Sequence, residues 1–199
     1  MEYFGIQPVF SDRKIKGKEL AVFKKLGWAT AADSSAPGFS FPPALLPQAY
    51  QGVKIKKTIT EPRIFISRKV SRGIINETQI ELFLAGHGFK KFYLKDLSIE
   101  DQLSLLTHAE YIIAADGAEL SPLTLNPGPK GIIEIDSPNW HTEFHTQILS
   151  AKTGRYIKIL TELDWEKILV PFHCSFSRRS LFFELDIALL EKAVDALLS

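Results

Sequence analysis

Arg68, Lys69 and Arg72 stand together directly after the β-rich run Arg63-Ile64-Phe65-Ile66-Ser67. Cations at the carboxyl end of a strand suit an anionic ligand, and two planar guanidinium groups suit bidentate contact with phosphate. Gly73 is the one nearby glycine, so no G-x-G-x-x-G turn is present to cradle a pyrophosphate on backbone amides. The alternative is a solvated basic loop, because charge runs often mark only surface. A second candidate is the turn Ala115-Asp116-Gly117-Ala118-Glu119-Leu120. Gly117 permits a tight passage from strand to helix, and the amides that follow would meet a ligand with the positive end of the helix dipole. The alternative is an ordinary turn in which Asp116 caps the helix. Asp116 and Glu119 would repel a pyrophosphate on these amides, so a sugar hydroxyl or a ribose fits them better.

The remaining chemistry-bearing residues point to less. His141 and His145 are spaced i, i+4, but His-Thr-Glu-Phe-His matches neither H-E-x-x-H nor H-x-x-E-H. Surface or interface histidines are expected. His173-Cys174 places imidazole and thiol on opposite faces if the segment is a strand, so a buried small thiol is expected rather than a nucleophile. Asn76-Glu77-Thr78 fits a glycosylation sequon, yet a helix-cap role suffices for Asn76. No D-x-D element and no clustered carboxylate pair is visible, so no metal and no cofactor are expected.

The elements that must position these residues alternate from Pro62 onward. Strands are expected at 63–67, 92–94, 111–115, 131–135, 156–160 and 181–185. Helices are expected from Asn76, whose Gln79 completes a capping box, from Ser98 with Asp101, over 120–125, over Trp140 to Lys152, and over Leu189 to Leu198. Strands alternating with helices of about ten residues predict an α/β, Rossmann-like and mainly parallel sheet, with ligands beyond the carboxyl ends of its strands. Residues 1–60 read differently. A short helix from Lys18 to Trp28 is stopped by Gly27, and Pro37, Pro42, Pro43 and Pro47 mark a linker. The expected organisation is a lead-in over 1–60 and one Rossmann-like domain over 61–199.

Composition narrows the class. The chain has 199 residues, 24 Lys+Arg against 23 Asp+Glu, 45% hydrophobic residues and one cysteine. That balance excludes a generally basic nucleic-acid binder, and a lone Cys174 excludes an internal disulfide. No apolar run approaches the roughly 20 residues of a membrane span, and the first residues show no secretory signal, so a cytoplasmic protein is expected.

Taken in order, these residues resemble the catalytic domain of glycosyltransferase family 61, which includes capsular polysaccharide biosynthesis proteins. Ile64-Phe65-Ile66-Ser67-Arg68-Lys69 looks like the family's strand ending in Ser-Arg-Arg, and Arg72-Gly73-Ile74-Ile75-Asn76-Glu77 resembles its Arg-x-(aliphatic)-x-Asn-Glu segment. Asp116-Gly117-Ala118-Glu119-Leu120 stands where the family typically has His-Gly-Ala-Gly-Leu. Ile132-Ile133-Glu134-Ile135, Trp140 and Gly154-Arg155-Tyr156 continue the pattern. The resemblance implies the carboxyl-terminal, donor-binding half of a GT-B, inverting and metal-independent transferase. Its partners would be a nucleotide sugar and a glycan acceptor, and a partner domain or a homo-oligomer would supply the second wall of the cleft. Arg68, Lys69 and Arg72 would face the diphosphate, Gly117, Ala118 and Glu119 the donor, Glu134 a ribose, and Asp116 would occupy a catalytic position. Replacing the family's usual histidine by Asp116 alters that position, because imidazole can donate to phosphate whereas a carboxylate repels it.

Three readings follow. The first is a family 61-like glycosyltransferase of polysaccharide assembly. The second is a catalytically impaired nucleotide-sugar or carbohydrate-binding subunit that needs a partner chain. The third, a nucleotide-dependent α/β enzyme of another kind, is disfavoured by the missing Gly-rich fingerprint.

Overall fold

A five-stranded sheet in the order β2-β1-β3-β4-β5 forms the centre, and every pairing in it is parallel. The structure, a computed structural model, describes residues 55–69, 72–137, 144–161 and 182–199. In chain order the elements are β1 (Arg63–Ile66), α1 (Glu77–Gly86), β2 (Lys90–Phe92), α2 (Ile99–His108), β3 (Tyr111–Ala115), a 3-10 helix (Ala118–Leu125), β4 (Gly131–Asp136), α3 (Phe144–Leu149), β5 (Tyr156–Leu160) and α4 (Ile187–Leu198). This is the α/β, Rossmann-like architecture that the alternation predicts. No helix among the described residues is long and apolar enough to cross a membrane.

The register explains how the faces are used. Side chains alternate along a strand, so odd-numbered positions share one face. Phe65, Ile113, Ile133, Ile135 and Ile159 form a core with Ile80 and Leu84 of α1 and with Leu190, Val194 and Leu197 of α4. Each such side chain contributes roughly 1.5–3 kcal/mol when fully buried. The even-numbered face is apolar on β1 and β3, at Ile64, Ile66, Ile112 and Ala114, but on β4 and β5 it carries, beside Ile132 and Leu160, the polar Glu134, Asp136, Tyr156 and Lys158. Ala114, Glu134 and Lys158 are direct neighbours across the sheet. The polar half lies against α3, since Thr146 of α3 shares hydrogen bonds with the Tyr156 hydroxyl and with Lys158 Nζ, each at 3.1 Å.

Several expected elements differ in extent. The strand expected at 92–94 ends at Phe92 because its partner β1 ends at the facing Ile66, and Leu94–Asp96 turns into a 3-10 helix. The strand expected at 181–185 reduces, among the described residues, to one bridge between Phe183 and Ile74. Phe183 pairs there with the loop before α1 (Ile75 N to Phe183 O, 2.8 Å) and not with the sheet. Of the helix expected over 140–152, Phe144–Leu149 is helical, and residues 138–143 lie outside the described part, as does the lead-in up to residue 54.

Two caps also differ in character. Ser98 caps α2 as expected, accepting from the Asp101 amide at 3.1 Å and donating to the Asp101 carboxylate at 2.8 Å. Asn76 occupies the N-cap position of α1 without a side-chain cap bond. Its amide instead pins the 185 backbone, donating to Leu185 O at 2.8 Å and accepting from Leu185 N at 3.0 Å.

Candidate active site

The chain leaves neighbouring strands β1 and β3 toward opposite sides of the sheet, and the crevice above such a reversal is where ligands of open parallel sheets bind. Arg68 follows β1, Arg72 lies on the loop to α1, and Asp116-Gly117 follows β3. Arg68 Nη1 donates to the Asp116 carbonyl at 3.2 Å, and Arg72 Nη1 donates to Asp116 Oδ2 at 3.0 Å. The Arg68 guanidinium is laid directly over Gly117. A Cβ at that position would overlap Nη1 and come within 2.9 Å of Cζ, so the absence of a side chain at 117 makes the close approach possible. Arg72 has φ 54°, a left-handed conformation that costs a non-glycine residue roughly 1–2 kcal/mol. Strain of this kind concentrates where the surroundings fix a functional side chain.

Behind the two arginines lies an interior polar cluster. Asp116 is buried, and its Oδ1 lies 3.0 Å from Nδ1 of His145 on α3. His145 Nδ1 is also 3.8 Å from Glu134 Oε1. The Tyr156 hydroxyl donates to Glu134 Oε2. Lys158 Nζ lies 3.3 Å from Asp136 Oδ2 and donates to Thr146. Burial alone would push the Asp116 carboxyl up. The His145 hydrogen bond and the charges of His145, Arg72 and Lys158 outweigh it and hold Asp116 below the usual carboxylate range. Glu134 goes the other way. Burial pushes it up, partly offset by the Tyr156 hydrogen bond and the Lys158 and His145 charges and reinforced by Asp116 repulsion, to about 7 in all.

The structure therefore brings Arg68, Arg72, Asp116 and Gly117 together, as the sequence pattern suggests. Asp116 is not the helix cap that the ordinary-turn alternative requires; the N-cap position is Gly117, without a side-chain cap bond. Lys69 is turned toward β2, paired with Asp96 and lying 4.2 Å from the Tyr93 ring centroid. Ala118 and Glu119 open the 3-10 helix through their backbone, and their side chains lie outside the described part. Glu134 is fully buried beneath α3.

His145 corrects a sequence expectation. It is not the expected surface or interface histidine but is buried among Asp116 and Glu134 of its own chain, because α3 covers the polar half of the sheet. His141, His173 and Cys174 lie outside the described residues. The expectation that no carboxylates cluster is corrected too: Asp116 and Glu134 are distant in sequence but meet at His145. Asp136, Tyr156 and Lys158 were missed. A signal for them existed, since Glu134 and Asp136, and likewise Tyr156 and Lys158, fall on the same parity of apolar strands.

The fold and the arginine pair define an α/β domain that sets two guanidinium groups at a topological switch point. The family model described as Glycosyltransferase 61 matches residues 18–133, and the chain belongs to that family. The match begins inside the lead-in and ends within β4, so Glu134, Asp136, His145, Tyr156 and Lys158 lie beyond it. No curated protein matches the chain.

Proposed function

We propose that this glycosyltransferase takes its sugar from a nucleotide donor whose diphosphate is held by Arg68 and Arg72 beside Gly117. The close packing of the Arg68 guanidinium on Gly117, at the switch point of the sheet, carries this reading. The two guanidinium groups neutralise the charge that develops on the departing diphosphate, an electrostatic contribution that needs no ion bridging the phosphates. The acceptor hydroxyl attacks the anomeric carbon from the opposite side, its proton passes to a base on the opposite wall of the cleft, the bond to the phosphate oxygen breaks, and the configuration inverts. A GT-B cleft, a glycan acceptor in polysaccharide assembly and a cytoplasmic setting complete the proposal, with the second wall supplied by a partner domain or another copy.

Asp116 does not face the diphosphate as a bare carboxylate in this scheme. Its Oδ2 receives Arg72 and its Oδ1 faces His145, so its charge serves to position Arg72. An imidazole is thus present at the turn despite the aspartate at 116, contributed from α3. The second reading, a binding subunit without turnover, is separated by one experiment. The full chain is incubated with a set of nucleotide sugars, and released nucleoside diphosphate is measured with and without glycan acceptors. Turnover that depends on Arg68 and Arg72 supports the transferase; saturable binding without release selects the subunit.

A further inference from the structure

We infer that Asp116, Glu134 and His145 form a site for one divalent transition-metal ion of the zinc or cobalt type. Each offers one ligand atom, and these three atoms lie within 4.8 Å of one another. The outer oxygens of both carboxylates are engaged, Asp116 Oδ2 by Arg72 and Glu134 Oε2 by the Tyr156 hydroxyl. The remaining oxygens, Asp116 Oδ1 and Glu134 Oε1, are the ones that converge on His145 Nδ1, at 3.0 and 3.8 Å. Ligand bonds of about 2.1 Å in tetrahedral geometry separate donor atoms by about 3.4 Å, so the observed spacings bracket what a bound ion requires.

A second observation points to a ligand independently of that spacing. Glu134 is fully buried, and its Oε1 accepts no hydrogen bond. A buried carboxylate oxygen left in this state is costly unless a cation or donor meets it. One Nδ1–H cannot serve both inner oxygens at these distances, whereas an ion between the three atoms contacts all of them. Orientation of ligating groups by outer hydrogen bonds, here from Arg72 and Tyr156, is the usual support for such a site. One imidazole nitrogen with two carboxylates suits zinc or cobalt, while magnesium favours oxygen-only octahedra that keep several waters. Of the nearby cations, Arg72 is paired with Asp116 and Lys158 with Asp136. On binding, the ion takes the Nδ1 lone pair, the imidazole carries its N–H on Nε2, and a proton held by Glu134 passes to solvent.

The inference does not depend on sugar transfer, and it is tested without donor or acceptor. The full chain is stripped with chelator and titrated with cobalt(II), then with zinc as competitor. Uptake of one cobalt per chain with visible ligand-field bands, displaced by zinc, is expected. Glu134→Gln and His145→Gln should each weaken uptake at least about tenfold, whereas Glu110→Gln, in an exposed pair with Lys130, should not. No saturable uptake, or equal uptake in both site variants, overturns the assignment. X-ray absorption of the zinc-loaded unmodified chain covers the case of variants that fail to fold. A shell of nitrogen and oxygen at about 2.0–2.2 Å with imidazole scattering is expected, and a sulfur-containing shell overturns it.

Discussion

Replacing Gly117 by alanine separates anion binding from stability. The residue has φ 168°, extended backbone that any residue adopts, so alanine meets no backbone strain there. Its Cβ, however, would occupy the place of Arg68 Nη1. The guanidinium lies at the end of a flexible side chain and can swing away, which makes the substitution sterically inexpensive but displaces the charge. Removing one glycine from the unfolded chain stabilises by about 0.4–1 kcal/mol. Loss of the 3.2 Å bond from Arg68 to the Asp116 carbonyl offsets this by about 1 kcal/mol. Stability should therefore change by less than about 1 kcal/mol. A charge-assisted contact to phosphate contributes about 1.5–3 kcal/mol, so nucleoside diphosphate affinity should fall about 10- to 100-fold. Calorimetric titration with uridine and guanosine diphosphates, beside urea unfolding of the same samples, reads both quantities. Unchanged affinity in Gly117→Ala would refute the assignment of the diphosphate to Arg68 as it packs on this residue. A large loss of stability would refute the view that Arg68 yields.

Glu134 should make stability depend on pH in chelator-treated protein. Its folded-state value of about 7 lies above the 4.5 of an exposed glutamate, so the folded state binds more protons between these values. The favourable contribution is fully present below pH 4.5 and is lost as pH rises to about 7, by roughly 3 kcal/mol. Glu134→Gln should flatten urea-unfolding stability across this window, and a slope unchanged in the variant would contradict the assignment. Asn76→Ala should cost about 2 kcal/mol in the same measurement, because it strands both backbone groups of the buried Leu185. A cost below about 0.5 kcal/mol would show that the pin between α1 and the 185 segment is dispensable.

The fold was legible because its signals are local. Runs such as Tyr111–Ala115 are apolar throughout, as strands buried on both faces must be, and Ser98 with Asp101 marks the start of α2. The arginine pair and Gly117 were legible for the same reason, since a charge cluster after a strand and a glycine at a turn can each be read alone. The interior cluster was not. Asp116, Glu134, His145 and Lys158 come from a turn, two strands and a helix, and they meet only through the β3-β4-β5 register and the packing of α3. His145 was visible only as one of a pair with His141, and helical spacing cannot tell a covered face from an exposed one. Asn76 read as a cap because its type and position fit one; its bonds to Leu185, far along the chain, required the fold.

The central claim is that Arg68 and Arg72 hold the donor diphosphate. Calorimetry of the full chain with nucleoside diphosphates, repeated on Arg68→Ala and Arg72→Ala, tests it most directly. Each substitution should weaken binding by about tenfold or more, with the fold retained by circular dichroism. Equal affinity in the unmodified chain and both variants would contradict the account, and would move the donor away from the switch point between β1 and β3.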